Sequence, residues 1–377
     1  MKIKWLTSLL ATLIAINLSA QTPPFKSGII EDEFIYDVAP FPECHAVTIA
    51  ETPKGLITAF FGGTKERNPD VEIYVSRKEG KRWTRPVSVA NGIQNDTLRY
   101  PTWNPVLYQV PGGELLLFYK IGPSPSTWKG WMKTSADNGL TWSEAKALPT
   151  GFIGPVKNKP VLVANKKLIA PSSTEGDGWK LHFEISEDDG KTWRMVGPVD
   201  NGKTLNAIQP SILLHPGGRL QVLARSKDRS VLETWSSDNG ETWSPLAKTI
   251  LPNNNSGTDA VTLKDGRQLI VYNHILDPEG KPKGPRTPLN ISVSKDGKEW
   301  YASLVLEDSP ISQYSYPSVI QSTDGMVHVV YTWRREKLKY VKIDPSKLGM
   351  VKIEKGQWPQ FKDYHAPKSG SSKTEDL

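Results

Sequence analysis

The chain has 377 residues and a formal charge of +7, with one cysteine. Its basic residues are scattered, with no basic helix or aromatic-basic platform, which excludes nucleic acid as the expected partner and favours an acidic one. Cys44 alone excludes an internal disulfide and reads as a buried thiol; no spacing suggests a metal cluster, so neither metal nor cofactor is expected.

The N-terminus, MKIKWLTSLLATLIAINLSAQ, carries two lysines, an apolar run from Leu6 to Leu18, and Leu-Ser-Ala before Gln21. This pattern predicts a secretory signal over 1–20, cleaved after Ala20, since the run is too short to span a bilayer. The mature chain is expected to be secreted or periplasmic, free of the membrane and monomeric. Residues 21–366 are read as one domain, because the repeats cross most of the chain without a linker-like shift, and 367–377 as a disordered tail.

From there on, short runs such as ELLLFYKIG, RLQVLARS, QLIVYNHI and VHVVYTW alternate with Pro-Gly-Gly, Lys-Asp-Gly or Thr-Asp-Gly. They read as strands joined by tight turns, and no amphipathic helix stands out. One turn recurs: SADNGLTW from Ser135, SEDDGKTW from Ser186, SSDNGETW from Ser236 and the shorter SKDGKEW from Ser294, with a weaker SRKEGKRW from Ser76. The copies start roughly 50 to 60 residues apart, the period of stacked supersecondary units. In each, the aspartate can accept from nearby backbone amides while the glycine takes positive φ; the tryptophan can pack between units. Asp137, Asp188, Asp238 and Asp296 therefore read as structural. About four strands per repeat is a propeller blade, which predicts an all-β, six-bladed β-propeller, with seven blades left open.

This turn is the Asp box, and over about residues 40 to 340 the chain resembles the sialidase superfamily of β-propellers. The resemblance implies three arginines clasping a carboxylate, a tyrosine nucleophile with a glutamate partner, and an aspartate acid/base. RLQVLARS is similar to the strand carrying the second arginine, here Arg225. GPRTPLNISVSKDG resembles the segment of the third, here Arg286. QYSYPSVIQSTDG resembles the nucleophile segment, giving Tyr316, with Tyr314 as the alternative.

Two positions depart. His45, in FPECHAVTIAETPKG, stands where the first arginine is expected, and Gln209, in NAIQPSILLHPGG, stands where the glutamate is expected. The loop GGTKERNPDVEIYVSR offers Asp70 or Glu66 as the acid/base. A neutral amide cannot take a proton from a phenol, so the set points away from ordinary sialic acid hydrolysis.

Two arginines still suit an anionic sugar, since a guanidinium matches a carboxylate in bidentate fashion. A histidine adds a group able to accept a proton near neutral pH. The expectation is an exported enzyme cleaving a glycosidic bond at a terminal acidic sugar of an extracellular polysaccharide. Elimination at a uronate is preferred, with His45 and Tyr316 moving protons. The rivals are a glycoside hydrolase, including one that uses Asp70 or Glu66 against Asp259 or Glu175, and a non-catalytic glycan-binding propeller. Further substrate contacts are expected from Trp103, Asn104, Lys159, Asn254, Asp259 and Asn273, in polar segments unlike ordinary strands. Of Arg334 and Arg335, one reads as facing the surface and one as facing inward.

Overall fold

The computed structural model describes residues 25–164, 166–277, 281, 283–310 and 313–360, so the signal segment and the tail lie outside the described residues. Among the described residues the strands form six antiparallel sheets, each a blade, which decides for six blades over seven. The innermost strands of blades 1 to 6 are, in order, Glu43–Thr52, Thr102–Gln109, Val161–Val163, Ala207–Leu214, Asp259–Thr262 and Tyr314–Gln321. The inner strands of blades 1 and 2, 4 and 5, and 5 and 6 pack side by side, blade 3 meets the inner strand of blade 4 through Lys167–Thr174, and the first inner strand packs on the last, so the ring closes. The closing blade takes its outer strand from the other end of the chain: Ile29–Phe34 pairs with Lys337–Ile343.

The repeated turns join the third and fourth strands of blades 2 to 5. In the first, Asp137 Oδ1 accepts from Ser135 Oγ (2.8 Å) and from the amides of Leu140 (3.1 Å) and Thr141 (2.8 Å), while Oδ2 accepts from Thr141 Oγ1 (2.6 Å). Asp188 and Asp238 make the same set, and Asp296 a shorter one. These aspartates are turn caps, as their spacing implied.

Each box also fastens its blade to the one before. Trp243 of blade 4 stacks on Phe183 of blade 3 with centroids 4.1 Å apart, and Trp193 of blade 3 meets Phe118 of blade 2 edge-on. Trp142 of blade 2 packs on the core around Ile57 and Ala59 of blade 1.

A second device governs the ring's centre. In blades 1, 2, 4 and 6 the innermost strand carries a bulge, two residues opposing one, at His45/Thr48, Trp103/Val106, Ile208/Ser211 and Ser315/Ser318. The residue that opens each bulge is left-handed: Ala46 (φ 55°), Asn104 (φ 34°), Gln209 (φ 58°) and Tyr316 (φ 51°). In three of the four, proline follows and supplies no N–H where the ladder is broken.

The interblade fit predicts unequal costs for equivalent turn substitutions. A Cβ on Gly240 (φ +84°) would lie 2.7 Å from Ile169 Cδ1, whereas one on Gly80 (φ +60°), in the degenerate copy, meets nothing within 4 Å. Gly240→Ala is expected to lower stability by roughly 2–4 kcal/mol and Gly80→Ala by about 1 kcal/mol, the latter from backbone strain alone. Urea unfolding midpoints of the two variants check this.

Candidate active site

The bulges of blades 4 and 6 put Gln209 and Tyr316 in contact across the ring. The Tyr316 hydroxyl oxygen accepts from Gln209 Nε2 (3.1 Å) and from Arg225 Nη1 (2.8 Å), while Arg225 Nε donates to Asn255 Oδ1 (3.0 Å). Beneath them Lys157 is buried, its ammonium 5.6 Å from the Tyr316 ring centroid, and donates to Asn158 Oδ1 (2.9 Å) and the carbonyls of Thr258 (2.8 Å) and Pro317 (2.7 Å). Burial pushes this amine down to about 7. His45, from blade 1, packs on the Tyr316 ring at 4.1 Å, and its Nδ1 pairs with Thr332 Oγ1 (3.0 Å).

Above this floor opens a cavity of about 630 Å³. Its lining carries seven cationic side chains (Lys65, Arg67, Arg225, Lys283, Arg286, Arg334 and Arg335) and four acidic ones (Glu43, Glu66, Glu175 and Glu336) around His45, Gln313 and Tyr316. Arg286 Nη1 donates to Gln313 Oε1 (2.9 Å) and its guanidinium lies 5.6 Å from the Tyr316 ring.

Two carboxyls face opposite environments. Glu66, ion-paired with Arg335, is held below the usual carboxylate range by that guanidinium, with help from Arg286 and Arg67, against the opposing effect of its own burial. Glu175, in the loop after Lys167–Thr174, is raised by burial despite Arg225, Lys227 and Lys283 nearby. His45 is pushed well below its ordinary value by burial, then by Arg335, Arg286, Lys157 and Arg225, so its imidazole is neutral.

His45, Arg225, Arg286 and Tyr316 thus meet at one cavity, with Gln209 bonded beneath. Tyr314 does not; it is buried in the core between blades 5 and 6. The structure corrects the other expected contacts. Asp70 lies outside the cavity wall, its carboxylate accepting from the amide and hydroxyl of Thr64. Glu66 is the carboxyl of that loop that enters. Asp259 is wholly buried, accepting from Lys159 (3.0 Å), Ser211 (2.9 Å) and the amide of Val319 (2.8 Å); with Lys159 it ties blades together and binds nothing from outside. Trp103 is buried with its indole N–H on the Gly122 carbonyl, and Asn104 is buried beside it in the same bulge. Asn254 donates to the Pro285 carbonyl, and Asn273 donates to the Pro288 and Tyr314 carbonyls. These polar segments line the inside of the ring's wall, where polar side chains are needed to satisfy irregular backbone.

Arg67, Arg334 and Arg335 escaped the sequence reading, which expected only one of the last two to face inward. The available signal was the hairpin TWRREK: a two-residue turn there needs positive φ at both centres, and arginines stand where Asn-Gly is the norm. Both are left-handed (φ 53° and 60°), as is Arg67 (φ 81°). Among the described residues no group of three or more His, Cys, Asp or Glu side chains is placed to hold a metal ion.

The fold and this cavity together define a sialidase-like propeller. The chain belongs to the BNR repeat-like domain family, whose profile matches residues 54–329. It is 26% identical over 170 residues to a sialidase of Paraclostridium sordellii, a match covering 38% of this chain and 41% of that relative, so less than half of that protein is represented. Among solved structures it is similar to the NanB sialidase of Streptococcus pneumoniae (TM-score 0.63, 14% identity, 86% of this chain and 71% of that one). It is also similar to the intramolecular trans-sialidase of Ruminococcus gnavus (TM-score 0.64, 16% identity, 84% and 97%). A Dyadobacter fermentans protein of unknown function shares the fold at TM-score 0.67, 17% identity, over 84% of this chain and 99% of that one.

The buried neutral imidazole predicts acid sensitivity. An unfolded histidine titrates near about 6.5, whereas folded His45 takes its proton only at much lower pH. The unfolded chain therefore binds the proton first, and stability is lost as pH falls below about 6.5. His274 and His328, both held down to about 4 by burial, add to the same loss. Thermal unfolding midpoints between about pH 7.5 and 5 are expected to fall, and to fall less in His45→Asn.

Proposed function

We propose that this protein is an exported enzyme that cleaves a glycosidic bond at a terminal acidic sugar. The observation that carries the reading is the Tyr316 hydroxyl at the floor of a blind cationic cavity, accepting hydrogen bonds from Arg225 and Gln209 with Arg286 alongside. Guanidinium groups suit a carboxylate, and a cavity of about 630 Å³ suits a chain end rather than a long internal segment. The similarity to proteins named sialidases agrees with an acidic terminal sugar.

Elimination at a uronate is the reaction that fits these groups. Arg225 and Arg286 hold the carboxylate and stabilise the enolate-like charge as the neighbouring proton leaves. His45, neutral in its cationic surroundings, accepts that proton. The electron pair left behind forms the C4–C5 double bond as the bond from C4 to the glycosidic oxygen breaks, so the uronate acted on is a chain-end residue that carries the next sugar on its C4 oxygen. Because the Tyr316 oxygen accepts from both Arg225 and Gln209, its own hydrogen goes to neither and is the one available to the leaving oxygen; the same two donors then stabilise the phenolate. Gln209, which rules out a carboxylate base beside Tyr316, is compatible with this role.

One observation favours a second reading. Glu175, raised by burial in the same cavity, can hold a proton and serve as the acid of a hydrolase in which the ionised Glu66 takes the proton of the attacking water.

A panel of uronate-terminated and sialylated glycans, with products read by mass and ultraviolet absorbance, tests the proposal. Elimination gives an unsaturated sugar one water lighter than the hydrolysis product. His45→Asn and Tyr316→Phe are each expected to lower turnover about 10²–10⁴-fold, while Glu175→Gln leaves elimination largely intact. Saturated products whose formation collapses in Glu175→Gln would establish the hydrolase. Glycan binding without turnover across the panel would make the chain a lectin-like propeller.

A further inference from the structure

Two of the seven cations of the cavity stand together on a strained turn that the proposed chemistry does not use. The hairpin between Val327–Trp333 and Lys337–Ile343 turns through Arg334 and Arg335, both left-handed, with the Glu336 amide returning to the Trp333 carbonyl (3.1 Å). The turn is fixed from both sides: the Arg334 amide donates to the Gln313 carbonyl (2.7 Å), and the Arg335 carbonyl accepts from the Cys44 amide (2.8 Å), one residue before His45. Glycine or asparagine would make this turn without the strain, so the arginines are kept there for what their side chains reach.

Arg335 is oriented by Glu66. Arg334 lies over the Trp333 ring at 4.4 Å and has no ion-pair partner among the described residues; its Nε is buried with no hydrogen-bond partner. The charges around the cavity are likewise in surplus. One substrate carboxylate on Arg225 and Arg286 leaves the lining cationic, since seven cationic side chains face four acidic ones. A second anion is what this field attracts.

We propose that Arg334 and Arg335 form a second oxyanion subsite, so that the preferred substrate carries two anionic groups: the terminal carboxylate at Tyr316 and another carboxylate or a sulfate at the turn. This rests on reading the cavity as a site for a terminal acidic sugar. A planar guanidinium backed by an aromatic ring and presented at a cavity wall is a fork for either oxyanion, and a second fork beside it adds direction.

The test is calorimetric titration with three probes: a uronate-terminated disaccharide, its sulfated form, and a form bearing a second carboxylate. Wild type is expected to bind one or both dianionic probes at least about tenfold more tightly than the monoanion. Arg334→Gln is expected to bring that ratio close to one. Arg334→Gly, which relieves the left-handed strain, is expected to raise the unfolding midpoint while abolishing the ratio, so loss of preference cannot be ascribed to misfolding. Which probe gains, sulfate or carboxylate, names the second anion. Equal binding of all three by wild type, or a ratio that survives both variants, overturns the subsite and leaves the acidic-sugar reading standing. If wild type binds none of them, the acidic-sugar reading falls and the subsite with it.

Discussion

The centre of this protein depends on one backbone constraint: a left-handed residue that opens a bulge in the innermost strand of a blade. An inner strand running regularly would alternate its side chains between two blade faces and send none squarely into the ring. Breaking the ladder by one residue re-aims a single side chain. In blade 6 that side chain is Tyr316 and in blade 4 it is Gln209, and they bond to each other although 107 residues separate them. Asn104 and Ala46 occupy the same position in blades 2 and 1, so the device is general to the ring and its chemical use is local.

Around that pair the cavity lining is mostly cationic. Arg225 and Arg286 approach Tyr316 from blades 4 and 5, and Lys157 sits below it with all three ammonium donors committed to fixed acceptors. Burial first, and then this concentration of positive charge, keeps His45 neutral, and a neutral Gln209 in place of a carboxylate avoids neutralising the field at its centre. The same replacement removes the base a tyrosine nucleophile would need.

The Asp boxes show why fold and function were unequally legible. Their hydrogen bonds lie within eight residues and their glycines answer to local φ, so the motif is readable without tertiary contacts. Arg225, Arg286 and Tyr316 were legible through the resemblance of their segments to those of the sialidase superfamily. Asp70 and Glu66 were not separable, because four residues of an irregular loop decide which carboxyl turns inward. Asp259, Lys159, Asn254 and Asn273 read as substrate contacts, but Asp259, Asn254 and Asn273 are buried and Lys159 is tied to Asp259. A ring of blades needs buried polar side chains to satisfy the backbone at its inner ends, and sequence does not distinguish those from groups that meet a ligand.

The sequence by itself determined the all-β propeller, the turns that fasten its blades, and the departures at His45 and Gln209, because all of these rest on short-range chemistry or on residue identity. Tertiary structure decided the rest. It settled six blades by pairing Ile29–Phe34 with the last blade, a contact between strands some 300 residues apart in the chain. It also brought Glu66, Glu175, Arg334 and Arg335 into one cavity from three separate blades. Their convergence is a property of closing a ring, which places loops from distant segments around one axis, and the spacing of residues along a chain carries no measure of that distance.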